Sequence, residues 1–171
     1  MPARIRLLSW LFLLGLFLQL APVWADNPGD IPPGRTRYDM LLSPQDVERV
    51  CLVGGIKLVP RDPMIGATGI LNFARARGPV ILMLNGEDVD AADFAKQKQT
   101  VSFKAQYAYQ FKGLGEDAYA GPAQAGKWYI LSFQKGNHWV TLTSGFTRRG
   151  GNPLVSLEQL RELAKVILGR L

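Results

Sequence analysis

Proton transfer, nucleophilic attack and metal binding fall mostly to histidine, cysteine and clustered carboxylates, and this chain has one histidine, His138, and one cysteine, Cys51. A hydrolase triad or a His-bound zinc needs several partners that such a composition does not gather. A small hydrolase or isomerase would use Glu116, Asp117 and His138. Against it, His138 follows Gly136-Asn137 and reads as a solvated turn residue. Glu87, Asp88, Asp90 and Asp93 resemble paired carboxylates or a calcium loop, but they lack the D-x-[DN]-x-[DN]-G spacing with a closing glutamate, and Asp90 and Asp93 suit a helix start. Gly113-Leu114-Gly115 stops short of a phosphate loop, because Ala118 stands where a G-x-G-x-x-G motif has its last glycine. It reads as a turn whose glycines take positive φ, with Leu114 and Tyr119 packing inward. Cys51 lies on an apolar helix face and reads as a buried small hydrophobe. No catalytic residue, metal or cofactor is therefore expected.

The surface of most interest lies on a hairpin from Lys127 to Ser144. Gly136-Asn137 supplies the positive φ of a two-residue loop, so Lys135 pairs with His138, Phe133 with Val140 and Leu131 with Leu142 on one face. The other face carries Trp128, Ile130, Ser132, Gln134, Trp139, Thr141 and Thr143. Left uncovered by a helix, Trp128, Trp139, Thr141 and Thr143 would form an amphipathic partner-binding patch; otherwise both indoles belong to the core.

Several elements must position that hairpin. Ser43-Pro44-Gln45-Asp46 is a helix start, Val47, Val50 and Cys51 share a face, and Gly54-Gly55 should end the helix. Ile56 to Val59 is a short strand. Gly69 to Arg75 and Val80 to Leu84 form a hairpin, with the second strand apolar on both faces and so interior. A second helix begins at Asp90 and ends near Gln99. Val101 to Lys112 alternates apolar and polar and predicts a long strand with a bulge or bend near Gln106. A final helix, capped by Ser156 and Gln159, carries Leu157, Leu160, Leu163, Ala164, Ile167, Leu168 and Leu171 as its apolar stripe. The expected fold class is α+β, a mainly antiparallel sheet with helices packed on it as a two-layer sandwich.

Arg4 and Arg6, the apolar run Leu7 to Leu20 and the small-residue pattern ending at Ala25 make a secretory signal with cleavage between Ala25 and Asp26. Residues 1–25 then form the leader, 26–37 a Pro- and Gly-rich flexible linker and 38–171 the single domain. Loss of the leader removes two arginines from a net charge of +6 and leaves +4, too diffuse for a nucleic-acid binder. Arg75, Arg77, Arg148 and Arg149 are loop charges that serve solubility, with attraction to an anionic surface as a second reading. One cysteine allows no internal disulfide.

Leu41-Leu42-Ser43 with Asp46-Val47, the stretch Gly113-Leu114-Gly115-Glu116-Asp117-Ala118-Tyr119 (GLGxxAY), Leu131 to Gly136, and Leu163-Ala164 together resemble small secreted bacterial domains of unknown function. These include actinobacterial lipoproteins, and a related shape occurs in extracellular sensor domains of bacterial Ser/Thr kinases. This chain lacks their lipobox cysteine and disulfide pair, so tethering and a disulfide-braced groove do not carry over. The resemblance implies a non-enzymatic extracytoplasmic domain. The expected protein is thus periplasmic or secreted, a binding module for a protein, peptide or cell-envelope ligand, with membrane contact only through an uncleaved leader. The alternatives are an inhibitor or accessory subunit of an extracytoplasmic enzyme, or the small hydrolase named above.

Overall fold

Local signals at the helix starts act as the residue types require. In the computed structural model of the protein, which describes residues 36–59, 70–104, 109–110, 112–122, 129–146 and 152–171, Ser43 caps α1 (Pro44–Cys51) and forms a reciprocal capping box with Asp46. Ser156 does the same with Gln159 for α3 (Leu157–Leu168). The proposed leader with Ala25 and Asp26, most of the linker, Gln106, Trp128, Arg148 and Arg149 lie outside the described residues.

The strands are β1 (Ile56–Val59), β2 (Ile70–Arg75), β3 (Val80–Asp88), β4 (Tyr109–Gln110), β5 (Asp117–Pro122), β6 (Tyr129–Lys135) and β7 (His138–Ser144). They form one seven-stranded sheet in the order β1-β2-β3-β7-β6-β5-β4, every pair antiparallel. With its helices packed on this sheet, the chain is an α+β protein. The β6–β7 register is the expected one, Lys135 with His138, Phe133 with Val140 and Leu131 with Leu142. β3 is interior and runs four residues beyond Leu84, so Glu87 and Asp88 are strand residues paired with Trp139 and His138.

Antiparallel partners share a face, and the faces differ sharply. One carries Phe73, Leu82, Leu84, Leu131, Phe133, Val140 and Leu142, all fully buried, under Val47 and Cys51 of α1 and Leu160, Leu163, Ala164 and Ile167 of α3. Each large aliphatic group buried there stabilises by about 1.5–3 kcal/mol. The other face meets α2 (Ala91–Lys104), whose Phe94 is 1 % exposed and packs at a tilt against Tyr119 and edge to face against Trp139.

The expected long strand is corrected here. Val101 to Lys104 belong to α2, and among the described residues of the expected strand Tyr109–Gln110 pair with β5. Nothing from Ala91 to Lys104 stops a helix, since the stretch has no glycine or proline and is rich in Ala, Lys and Gln.

α1 stops earlier than its glycines suggest. Its last turn closes on Leu52, which is left-handed at φ 55 and ψ 40 and 87 % exposed. That conformation crowds a Cβ and suits glycine. Leu52→Gly is therefore expected to raise stability by about 0.5–1 kcal/mol and the melting temperature by about 2 °C, measured by circular dichroism; an unchanged or lower value would refute the strain.

Candidate functional site

Where β3 and β7 end side by side, Asp88 and His138 are cross-strand partners. Above them sits a 3-10 turn, Arg37–Met40, capped by Thr36. Tyr38 lies against the sheet in the space that Gly86 leaves, since a Cβ on that glycine would collide with the Tyr38 ring. Glycine inside a strand often marks such a close approach.

The four side chains are tightly joined. Tyr38 Oη donates to Asp88 Oδ1 at 2.6 Å, and Arg37 Nη2 donates to Asp88 Oδ2 at 2.7 Å. His138 Nδ1 lies 2.9 Å from Asp88 Oδ1, and because a carboxylate only accepts, the proton is on Nδ1. Nε2 then offers its lone pair to Arg37 Nη1 at 3.4 Å. The Tyr38 and His138 rings meet edge to face at 6.1 Å.

Electrostatics follow from the contacts. Burial, reinforced by the Asp88 hydrogen bond and charge, pushes the Tyr38 hydroxyl well above its ordinary range, and Arg37 offsets only part of this. Burial alone would raise the Asp88 carboxyl, but hydrogen bonds from Tyr38 and His138 and the Arg37 charge outweigh it and hold it below its usual value. An Asp-oriented imidazole is the geometry of a general base. Here the basic nitrogen faces a guanidinium, and no serine, threonine or cysteine is hydrogen-bonded to it among the described residues. The arrangement can clasp the turn to the sheet and present Arg37 and Asp88, both about half exposed.

The expectation that His138 is a solvated turn residue is corrected, since its side chain is only 17 % exposed and its hydrogen-bonding atoms are used. Arg37, assigned to the linker, belongs to the fold for the same reason. The hydrolase set does not assemble. Glu116 Oε1 accepts the Gly136 N–H at 2.9 Å, Asp117 takes Lys98 Nζ through both oxygens at 2.6 and 2.9 Å, and the sheet register sets Asp117 and His138 on opposite faces. Asp90 caps α2 through the Asp93 N–H. Among the described residues, no group of three or more His, Cys, Asp or Glu side chains is placed to hold a metal ion. Burial raises the Cys51 thiol to about 11, so it is protonated and inert at neutral pH.

The glycine turn is as its residue types suggest. Gly113 and Gly115 take φ of 82 and 66, and Leu114 and Tyr119 are buried, Leu114 in the core under α1 and α3.

On the second face, Trp139 is half-buried, and no acceptor reaches its Nε1 among the described residues. Thr141 shares a hydrogen bond with Ser132 at 2.8 Å. Thr143 pairs with Met83 and Ile130, and Thr141 with Asn85. These side chains are half-buried apart from Ser132, which is buried. The Arg37–Tyr38–Asp88–His138 cluster carried no sequence signal beyond Gly86, a lone glycine after the apolar run Val80 to Leu84. Among the described residues no helix is long and apolar enough to cross a membrane. Compared with protein-family models, with curated proteins and with solved structures, the chain finds no match.

Proposed function

We propose that the chain is an exported, non-enzymatic binding module that recognises a protein, peptide or envelope component through the second face of its sheet. The observation that carries this reading is the mixed character of that face. Met83, Asn85, Thr141 and Thr143 lie on the two interior strands β3 and β7, yet they are neither buried as a core nor fully solvated. Half-covered polar and apolar groups on a rigid sheet provide hydrogen bonds and desolvation together, which is what recognition surfaces use. Phe94 covers the Trp139 end of the face and so sets its limit. The absence of a hydroxyl or thiol hydrogen-bonded to His138 Nε2 among the described residues favours binding over hydrolysis. The leader pattern and the resemblance carried by Gly113 to Tyr119 support the extracytoplasmic part of this reading.

A photo-crosslinking residue at Thr143 tests the reading against one at Glu158, which is exposed on α3. Irradiation in intact cells is expected to give discrete adducts from position 143 and none from 158, with both variants melting as the parent does. Equal labelling at both positions, or none at either, would remove the sheet face as the recognition surface.

A further inference from the structure

Between Ala91 and Gln99, α2 buries one side chain, Phe94, and half-buries Lys98; the other side chains of that stretch are exposed. The Phe94 ring lies against Tyr119 of β5 and Trp139 of β7, with centroids 5.8 and 5.6 Å away. One helical turn later, Lys98 Nζ donates to both oxygens of Asp117 at 2.6 and 2.9 Å. Asp117, Gln134, Trp139 and Glu87 are successive partners across β5, β6, β7 and β3, so an acid stands at each end of this row on the second face. Trp139 Nε1 is buried within it and has no acceptor among the described residues. The start of the helix is tied separately. Val89 donates its N–H to the Asn137 carbonyl at 2.8 Å, and Asp90 accepts the Asp93 N–H at 2.8 Å.

We propose that α2 is a self-bound occupant of the recognition face, displaced by a partner helix that carries an aromatic residue and, four positions later, a lysine or arginine. The chemistry of that partner is set by what α2 itself supplies. Residues four apart lie on one side of a helix, so Phe94 reaches the two aromatic rings while Lys98 reaches Asp117, and a foreign helix with the same pair meets the same groups. Asp117 and Glu87 both favour a cation and repel an acidic competitor. A helix of 14 residues is marginal without packing, and one buried ring between Ala91 and Gln99 gives it little, so α2 opens before the strands do. As a tethered segment it keeps the face closed against weak binders. A partner that adds apolar contacts and an acceptor for Trp139 Nε1 displaces it. The inference rests on the sheet-face reading for the existence of a partner, whereas the opening of α2 does not depend on it.

Amide hydrogen exchange on the full chain tests the opening. The Phe94 to Gln99 amides are expected to exchange by local opening, with β6 and β7 more protected. Phe94→Ala should speed that exchange about 30-fold and Lys98→Ala about threefold, with β6 and β7 as in the parent. A fluorescein-labelled peptide of residues 90–104 tests the site. It should bind the Phe94→Ala protein at least about tenfold more tightly than the parent. The same peptide with Lys98→Glu should lose that binding and regain it on a protein that also carries Asp117→Lys. Exchange of α2 together with β7, or peptide binding indifferent to Phe94 and Lys98, would overturn the proposal. A Phe94→Ala protein that unfolds as a whole would do so too, since Phe94 would then be core; Lys98→Ala leaves the ring in place and still reads the opening. So would a doubled mass of the Phe94→Ala protein, because a second copy would then be the occupant. Adducts from Thr143 without local opening of α2 would keep the sheet-face reading and remove this one, and local opening with peptide capture but no adducts would do the reverse.

Discussion

Gly115→Ala is expected to lower the melting temperature by about 10 °C, corresponding to about 3 kcal/mol. Gly115 has φ 66, and an added Cβ would collide with the Gln134 carbonyl oxygen, which is backbone and cannot swing away. The same oxygen accepts the Glu116 N–H at 2.9 Å, so displacing it also loosens the link between this turn and β6. Glu116 would lose its hold on Gly136, which braces the hairpin loop. Gly113→Ala is the control. Its φ is 82, but nothing lies within 4 Å of the added Cβ, so it suffers backbone strain alone, about 1 kcal/mol. Calorimetry on the two variants separates the terms, and equal losses would show that the close approach to Gln134 contributes nothing.

Asp46→Asn should cost about 2–3 kcal/mol at neutral pH and flatten much of the acid sensitivity of folding. The Asp46 side chain is 8 % exposed and bound by Arg170 at 2.6 Å, by the Ser43 hydroxyl at 2.7 Å and by the Ser43 N–H at 3.0 Å. Burial alone would raise its carboxyl; the Arg170 and Ser43 hydrogen bonds overcome that and bring it from 3.8 to about 2. With the folded value below the unfolded one, the unfolded chain binds more protons in this window. The stabilisation is then complete above about pH 4 and disappears as the pH falls through about 2. Urea midpoints at pH 7 and pH 2.5 measure it: the parent should lose the larger part, and the variant little beyond what Asp88, also held below its usual value, contributes. Parallel losses in parent and variant would mean that Arg170 does not hold the carboxylate. Because Arg170 also donates to the Leu41 carbonyl, this contact ties the C-terminal end of α3 to the start of α1.

Some of this architecture is legible residue by residue. Ser43 and Ser156 announce helix starts because a capping oxygen acts within one turn. Gly136-Asn137 sets the β6–β7 register because a two-residue loop admits only a few backbone shapes. The stripe from Leu157 to Leu171 reports its buried side through the helical period. Where two periods fit the same residues, as from Val101 to Lys104, local reading chose the strand, and the uninterrupted helix from Ala91 prevailed. The ends went astray for a related reason: Leu52 took the left-handed position two residues ahead of the glycines suited to it.

The candidate site lay beyond any local reading. Arg37, Tyr38, Asp88 and His138 stand about 50 and 100 residues apart, and none has a spacing that names its partners. They meet because β3 pairs with β7, a long-range choice made by burying Leu82 and Leu84 beside Leu142 and Val140. Asp46 and Arg170, 124 residues apart, depend in the same way on α3 lying beside α1. Sequence alone determined the caps, the tight turn and the apolar faces, since those energies act over a few bonds. The tertiary structure decided which polar side chains would share one space, because a hydrogen bond across the sheet exists only after hydrophobic burial has set the strand order.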